Sequence, residues 1–240
     1  MSKVLEYILG TDAAIVLDYG LSSQAVVQGL TKLAPPGFSR QIVTIDELRN
    51  EFARKFAGGG DYNDLSFAGN LVVGDTAGQN RLKQYAYDKT KLVGRQLLGF
   101  LDYNHFFTTD LANDPSSSMQ VVEMSSGEAG KNDAFPITGK IVPNGRMAIY
   151  TAHIIEGAVP TLAFVAGTLG GDDTITDTAN GFITAGFVVG MTLLIFDSPT
   201  NDPIATTVKT VDAGTLTLNS IDLLNSEAGV EGMELHGGSL

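Results

Sequence analysis

The sequence predicts a mainly β protein: an antiparallel β-sandwich flanked by one α-helix, plus a small C-terminal β-barrel or sandwich domain. Three observations lead there. Short apolar runs, alternating or rich in Val, Ile, Thr, Phe and Tyr, recur along the chain between Gly, Pro, Asn and Asp clusters. Residues 76–88 combine a helix start signal with helical apolar spacing. The last third differs in charge from the rest: residues 161–240 hold ten acidic side chains and one basic one, Lys209, out of 27 and 15 in the chain. Most of the net −12 comes from this stretch. We place a boundary near Ala158-Val159-Pro160, giving one domain over 1–157 and a small acidic β domain over 161–240.

Taken in order, residues 13–18 (AAIVLD) read as a first strand, closed by Tyr19-Gly20. Ala34-Pro35-Pro36-Gly37 is a turn, and 41–45 a second strand. From Thr44 the local signals favour a helix. Thr44 and Glu47 form a capping box, and Leu48, Phe52 and Phe56 follow at i, i+4 and i+8. Gly58-Gly59-Gly60 reads as a hinge, and 65–73 as a pair of short extended runs pausing at Gly69-Asn70. Thr76-Ala77-Gly78-Gln79 is a second capping box, and Leu82, Tyr85 and Ala86 then give one buried face.

Strands dominate beyond that helix. Residues 95–107 are apolar on both faces, as a central strand is. A solvated turn at 110–118 leads to a strand at 119–124 and a loop at 125–133. Phe135, Ile137, Gly139 and Ile141 alternate with Pro136, Thr138 and Lys140, a half-exposed strand. Asn144-Gly145 favours a tight hairpin into a strand at 147–155. In the last third, short strands at 174–176, 191–196, 204–210, 215–218 and 233–236 are separated by turn clusters. The longest apolar run, 181–196, is too short to span a bilayer and reads as a buried strand pair. The first twelve residues lack the apolar core of a signal peptide, so a soluble protein without membrane insertion is expected.

The chemistry-bearing residues do not assemble into a reactive constellation. Cysteine is absent, which excludes disulfides, thiolate metal sites and thiol nucleophiles. His105, His153 and His236 are far apart. Asp61-Tyr62-Asn63-Asp64 begins like a calcium loop but lacks Gly at the sixth position and has Val72 at the twelfth. The glycine clusters at 58–60 and 167–171 lack the Lys-Ser/Thr of a phosphate loop, and Ser125-Ser126-Gly127-Glu128 lacks a nucleophile elbow. Asp110, Asp114, Asp172 and Asp173 stand in turns. Phe100, Tyr103, Phe106 and Phe107 have no basic interleaving and read as core. No catalytic, metal or cofactor-binding residue is nominated, and an enzyme is not expected. So acidic a surface repels phosphate and suits one that nucleic acid passes without sticking.

One ordered set of pieces goes further. Asp61-Tyr62, Asp64-Leu65-Ser66-Phe67, Gly69-Asn70, Gly74-Asp75 and Gly78-Gln79 are followed by 110–115 (DLANDP), Gly127-Glu128-Ala129, Gly139 and Pro143-Asn144-Gly145. In this order, over residues 41–155, the chain resembles the tail tube (major tail) proteins of long-tailed bacteriophages. The resemblance implies a structural subunit that forms stacked six-fold rings around a lumen through which DNA passes without specific binding. Its partners would be itself and other tail proteins at the tube ends. Its place would be the virion, after assembly in the host cytoplasm.

The resemblance also implies an extended inter-ring arm around 44–64, where local spacing favours a helix. Both fit a segment at 46–64 that neighbours lock in place. Subunit-interface candidates are therefore Leu48, Phe52, Phe56, Asp61, Tyr62 and Asp64. Lumen candidates are Asp102 and Glu123, at polar positions of 95–109 and 119–142. Residues 182–190 and 214–218 look like a small β module appended to phage structural proteins, placed on the outer wall. A sheet apolar on both faces at 95–107 calls for cover, which neighbouring copies would supply. The alternatives are a virion decoration or surface-adhesion β protein, a secretion-system tube, and a metal-dependent hydrolase.

Overall fold

A computed structural model describes residues 13–45 and 54–239 except 103, 131–132, 169, 203, 222 and 230; for 41–45, 54–59, 221 and 239 it describes the backbone alone. Strands β1 (Ala14–Leu17), β2 (Ala25–Val26), β3 (Leu30–Ala34), β4 (Phe38–Ile45), β5 (Arg54–Tyr62) and β6 (Leu65–Asn70) precede helix α1 (Gln79–Asp88). Then come β7 (Lys91–Leu92), β8 (Leu97–Phe100), β9 (His105–Thr109), β10 (Ser118–Ser126), β11 (Pro136–Asn144) and β12 (Met147–Ile155). The last third holds β13 (Leu162–Val165), β14 (Asp172–Asp177), the short helix α2 (Phe182–Ala185), β15 (Thr192–Phe196), β16 (Ile204–Asp212), β17 (Thr215–Ile221), β18 (Glu227–Ala228) and β19 (Glu234–Ser239).

Every strand pairing is antiparallel. Twelve strands form one sheet in the order β18-β13-β14-β17-β16-β15-β19-β12-β9-β8-β1-β2, and five form a second, β3-β6-β11-β10-β7. Among the described residues, β4 and β5 pair with each other and with no other strand. Between the two larger sheets lies a core of Ile15, Leu17, Leu65, Phe67, Leu97, Phe107, Val121 and Ile141, closed at one side by Leu82 of α1. The fold is thus mainly β, an antiparallel sandwich with a flanking helix. Residues of the last third surround a second core that includes Phe164, Ile175, Phe182, Leu193, Val208, Leu216 and Leu235.

The prediction that 95–107 is apolar on both faces holds, but the segment is a hairpin of β8 and β9 instead of one strand. Leu97 and Phe107 point into the sandwich core. Leu98 and Phe106 point the other way, into a third core with Ala148, Tyr150, Leu194 and Phe196. The cover expected from neighbouring copies is therefore supplied by the chain itself. β19 inserts between β12 and β15 and carries the sheet from one half of the chain to the other. The edges of the two larger sheets are short: β2, β7 and β18 have two residues each, and β3 has five with Lys32 at its centre. Short or charged edges resist unplanned pairing.

Four further expectations change. Residues 54–57 are strand, because β5 pairs with β4 from Phe38↔Tyr62 to Ile45↔Arg54; the helical spacing of Leu48, Phe52 and Phe56 does not extend through them. Leu48 and Phe52 lie outside the described residues. Gly58-Gly59-Gly60 belongs to β5 and is no hinge. Asn144-Gly145 makes no tight hairpin: β11 belongs to the five-stranded sheet and β12 to the other, so the turn hands the chain across the sandwich, with Gly145 at φ 94°. Residues 181–196 form α2 and one strand, not a strand pair.

Helix α1 starts at Gln79 with Gly78 at the cap position, a little later than predicted, and the side chain that meets the N–H groups there is Asp75 and not Thr76. The Asp75 carboxylate accepts from the N–H groups of Gly78 (2.9 Å), Gln79 (2.8 Å) and Gln28 (3.1 Å). Gln79, 1% exposed, donates through Nε2 to the carbonyls of Gln28 and Asn70 and accepts from Val72 N–H. The helix start is thereby tied to the strand ends beside it. Among the described residues no helix is long and apolar enough to cross a membrane.

Candidate assembly interface

Among the described residues, the β4–β5 ribbon meets the body at its foot. There the Tyr62 hydroxyl donates to the Met147 carbonyl (3.0 Å), and Asn63 N–H donates to the Gly37 carbonyl (2.6 Å). The Phe38 ring packs 5.1 Å from that of Tyr62 and fills the space a side chain at Gly60 would need. Pro35 and Pro36 stand just before β4, where they offer no N–H for pairing. Isolated two-stranded hairpins are marginal in water, so the ribbon depends on whatever else it touches.

Between this foot and the rim of β12 opens a cleft of about 540 Å³. Phe38, Tyr62, Met147 and Ile149 give it apolar walls, and among the described residues Arg40 and Arg146 are the charged groups that line it. Phe38 is 54% and Ile149 44% exposed, large apolar surface for a chain this acidic. The Arg40 guanidinium lies 5.7 Å from the Phe38 ring centre. Arg146 is held by the buried carboxylate of Asp110, Nε to Oδ2 3.3 Å, with almost half of its side chain exposed. An apolar cleft with two cations at its lip suits an apolar segment bearing carboxylates.

The predicted interface residues divide. Tyr62 lines the cleft. Phe56 stands opposite Val43 in the ribbon. Asp61 is exposed, and its carboxylate accepts from the N–H of Tyr62 at 2.8 Å. Asp64 forms an ion pair with Lys140 on the face of the five-stranded sheet.

The two lumen candidates lie in different parts of the fold. Asp102 is not on a strand; it caps the β8–β9 turn, accepting from Asn104 N–H (2.8 Å), His105 N–H (2.7 Å) and His105 Nδ1 (2.8 Å). Partial burial raises its pKa, but these hydrogen bonds outweigh it and hold the carboxyl below its usual range. Glu123 is exposed on the outer face of β10, opposite Lys140. That face also carries the exposed Lys32 and Lys91, so it is nearly balanced in charge and not strongly acidic.

Sequence reasoning missed a second polar cluster, where the two halves of the chain meet. Tyr19 hydroxyl bonds both carboxylate oxygens of Glu234 (2.9 and 3.1 Å), and His236 Nε2 lies 2.7 Å from the same group. Arg95 pairs with Asp202 and lies 5.1 Å from the Phe196 ring centre. Burial raises the Glu234 pKa, yet the His236 and Tyr19 hydrogen bonds and nearby positive charge win, and the carboxyl stays below its usual range. Asp197 is pushed up by burial and by the charges of Glu234 and Asp202. Tyr19 and Glu234 are 215 positions apart, and nothing local announces the pair. Among the described residues, no three His, Asp or Glu side chains gather as a metal-ion site.

No protein-family model and no curated protein matches the chain. Among solved structures it is similar to a chain in the virion of a native gene transfer agent particle, at 15% identity and TM-score 0.42, over 58% of this chain and 95% of that one. It is also similar to a chain of the anti-feeding prophage baseplate, at 11% identity and TM-score 0.40, over 60% and 97%. A type six secretion system protein matches at 10% identity and TM-score 0.30, over 70% and 96%.

Proposed function

We propose that this chain is a structural subunit of a phage-type tail tube. Copies close head-to-tail into six-fold rings, the rings stack, and DNA passes down the bore without being held. The observation that carries this reading is the β4–β5 ribbon. It joins neither sheet, and it lies where the sequence has the tail-tube order of pieces. A ribbon that finds no third strand in its own chain gains most by lying against another copy.

In this reading Leu48, Phe52, Phe56, Asp61, Tyr62 and Asp64 belong to the contact between copies. Other tail proteins meet the tube at its ends, and the assembled protein resides in the virion. Residues 1–157 build the wall, and 161–240 form an acidic unit on its outside. Glu123 is the preferred bore residue, because it is exposed on an outer sheet face; Asp102 lines the bore only where the β8–β9 turn reaches it. The net charge of −12 disfavours capture of phosphate. The role is structural and involves no catalysis.

Negative-stain microscopy and sedimentation of the concentrated protein test this. Rings or hollow filaments with a central hole are expected. A monodisperse single particle at every concentration refutes the reading.

A further inference from the structure

We propose that Asn144-Gly145 is a self-modification site, where the folded protein converts Asn144 through a succinimide to aspartate and isoaspartate, while Asn180-Gly181 is protected by the Asp177 carboxylate. The proposal is independent of assembly. It concerns the chain's two Asn-Gly steps, one at the crossover from β11 to β12 and one just before α2.

Glycine after asparagine leaves the backbone nitrogen unobstructed and free to rotate, since it has no side chain. That nitrogen attacks Cγ of the asparagine. The N–Cγ bond forms, the Cγ–Nδ2 bond breaks, and the side-chain nitrogen leaves as ammonia with the proton the backbone amide gave up. Water then opens the succinimide at either carbonyl, giving aspartate or isoaspartate. Water is the only co-reactant. The glycine N–H must be free to surrender its proton and turn towards Cγ, so a strong acceptor on that N–H blocks the reaction.

Both asparagines are exposed, so exposure does not separate the two steps; hydrogen bonding does. Gly181 N–H donates to Asp177 Oδ2 at 2.6 Å, and the same carboxylate accepts from Ala179 N–H (2.8 Å) and the Thr161 hydroxyl (2.6 Å). Asn180 N–H is bonded to the Asp177 carbonyl as well, and its side-chain oxygen lies against Gly214. Gly145 is different. Among the described residues its N–H meets no acceptor, it is exposed, and Asn144 is the last residue of β11, paired with the first of β10, Ser118. On the far side Arg146 N–H is held by Ser117 Oγ (2.7 Å) and Asp114 Oδ2 (3.2 Å), and its carbonyl accepts from Asp110 N–H. Isoaspartate routes the main chain through the former side chain and lengthens it by one methylene between these two anchors. Either product adds a carboxylate two positions from Arg146, a cation of the cleft.

Full-length protein kept folded in mildly alkaline buffer made with heavy-oxygen water, then mapped peptide by peptide in a mass spectrometer, tests this. Each hydrolysed succinimide carries a heavy oxygen, and an isoaspartate-specific methyltransferase counts the rearranged product. Conversion at Asn144 should run at least tenfold faster than at Asn180, with both products present. The same chain unfolded in urea should convert the two steps at similar rates, which makes the contrast a property of the fold. Asn144→Gln, whose longer side chain closes a ring far more slowly, should remove the signal at that peptide and keep the wild-type thermal midpoint, since the side chain is exposed. Asp177→Asn should open Asn180 to conversion; should that variant not fold, the ratio of folded to urea-unfolded rates at Asn180 reads the protection in the wild-type chain. Asn144 staying intact in the folded protein while the unfolded chain converts overturns the proposal. So does Asn180 converting as fast as Asn144 in the folded protein.

Discussion

The ring of Phe67 occupies the space where a side chain at Gly139 would stand, directly opposite it in the β6–β11 register. Gly99 and Phe107 repeat the arrangement between β8 and β9 on the facing sheet. Each glycine lets an aromatic ring lie across the strand and reach the sandwich core, an aromatic cover for a position that otherwise weakens a sheet.

Gly139→Ala should therefore destabilise through overpacking, by about 1–3 kcal/mol. For a chain of this size that lowers the thermal midpoint by roughly 2–4 °C per kcal/mol. Combining Gly139→Ala with Phe67→Leu should cost less than the sum of the two changes, because the smaller side chain relieves the clash. Calorimetry of the single and double variants checks both statements.

Gln79→Leu should cost more than a place in the first turn of a helix suggests. The substitution leaves the carbonyls of Gln28 and Asn70 and the N–H of Val72 without their partner in a closed site. Each buried group so stranded costs about 1–3 kcal/mol. Denaturant unfolding should show a lower midpoint with an unchanged slope. Hydrogen exchange should quicken first at residues 70–80.

Two carboxylates at the junction should respond to pH with opposite signs. Asp197 has a raised folded pKa, so its charge weakens the native state once pH exceeds that value. Asp197→Asn should raise the thermal midpoint at pH 7 and change little below about pH 3, where the wild-type group is already protonated. Asparagine also tolerates the left-handed φ of 59° at this position. Glu234 has a depressed pKa, so the stability it contributes is present above its ordinary value of 4.5 and is lost as pH falls through the folded value. Glu234→Gln should lower the midpoint at pH 7, with the difference closing in acid. Melting curves across pH 3–8 decide both.

A chain cut after residue 157 should not fold as a free unit. Removing the rest strips Leu194 and Phe196 from Leu98, Phe106 and Tyr150, and leaves the β19 side of β12 unpaired. Near-ultraviolet circular dichroism should be weak, and dye binding to exposed apolar surface strong. A cooperative melt matching that of the whole chain contradicts this.

How much of the structure could be read from the sequence depended on the range of the forces involved. The alternation predicted for 135–141 survived from Pro136 on, with Ile137, Gly139 and Ile141 inward, because a half-buried strand writes its own period, whereas Phe135 precedes β11 and is exposed. The helix at 79–88 was legible from its spacing, although Asp75 took the capping role assigned to Thr76. At 54–57 the local helical pattern lost to cross-strand pairing with β4, a tertiary choice that propensity cannot see. The two-faced apolar character of 95–107 was visible, but its covering residues, 194 and 196, are nearly ninety positions away. Tyr62, nominated from its motif, lines the cleft. The arginines beside it did not, since Arg40 and Arg146 converge only after folding.

β19 is threaded into the interior of the twelve-stranded sheet, and a ribosome makes it some eighty residues after β12. At typical synthesis rates about 4–16 s separate the two. During that interval a nascent chain offers an open seam at β12, and the junction that stiffens the body does not yet exist. Closure of the twelve-stranded sheet thereby waits for β19, which leaves the ribosome after every strand of the sandwich core has been made.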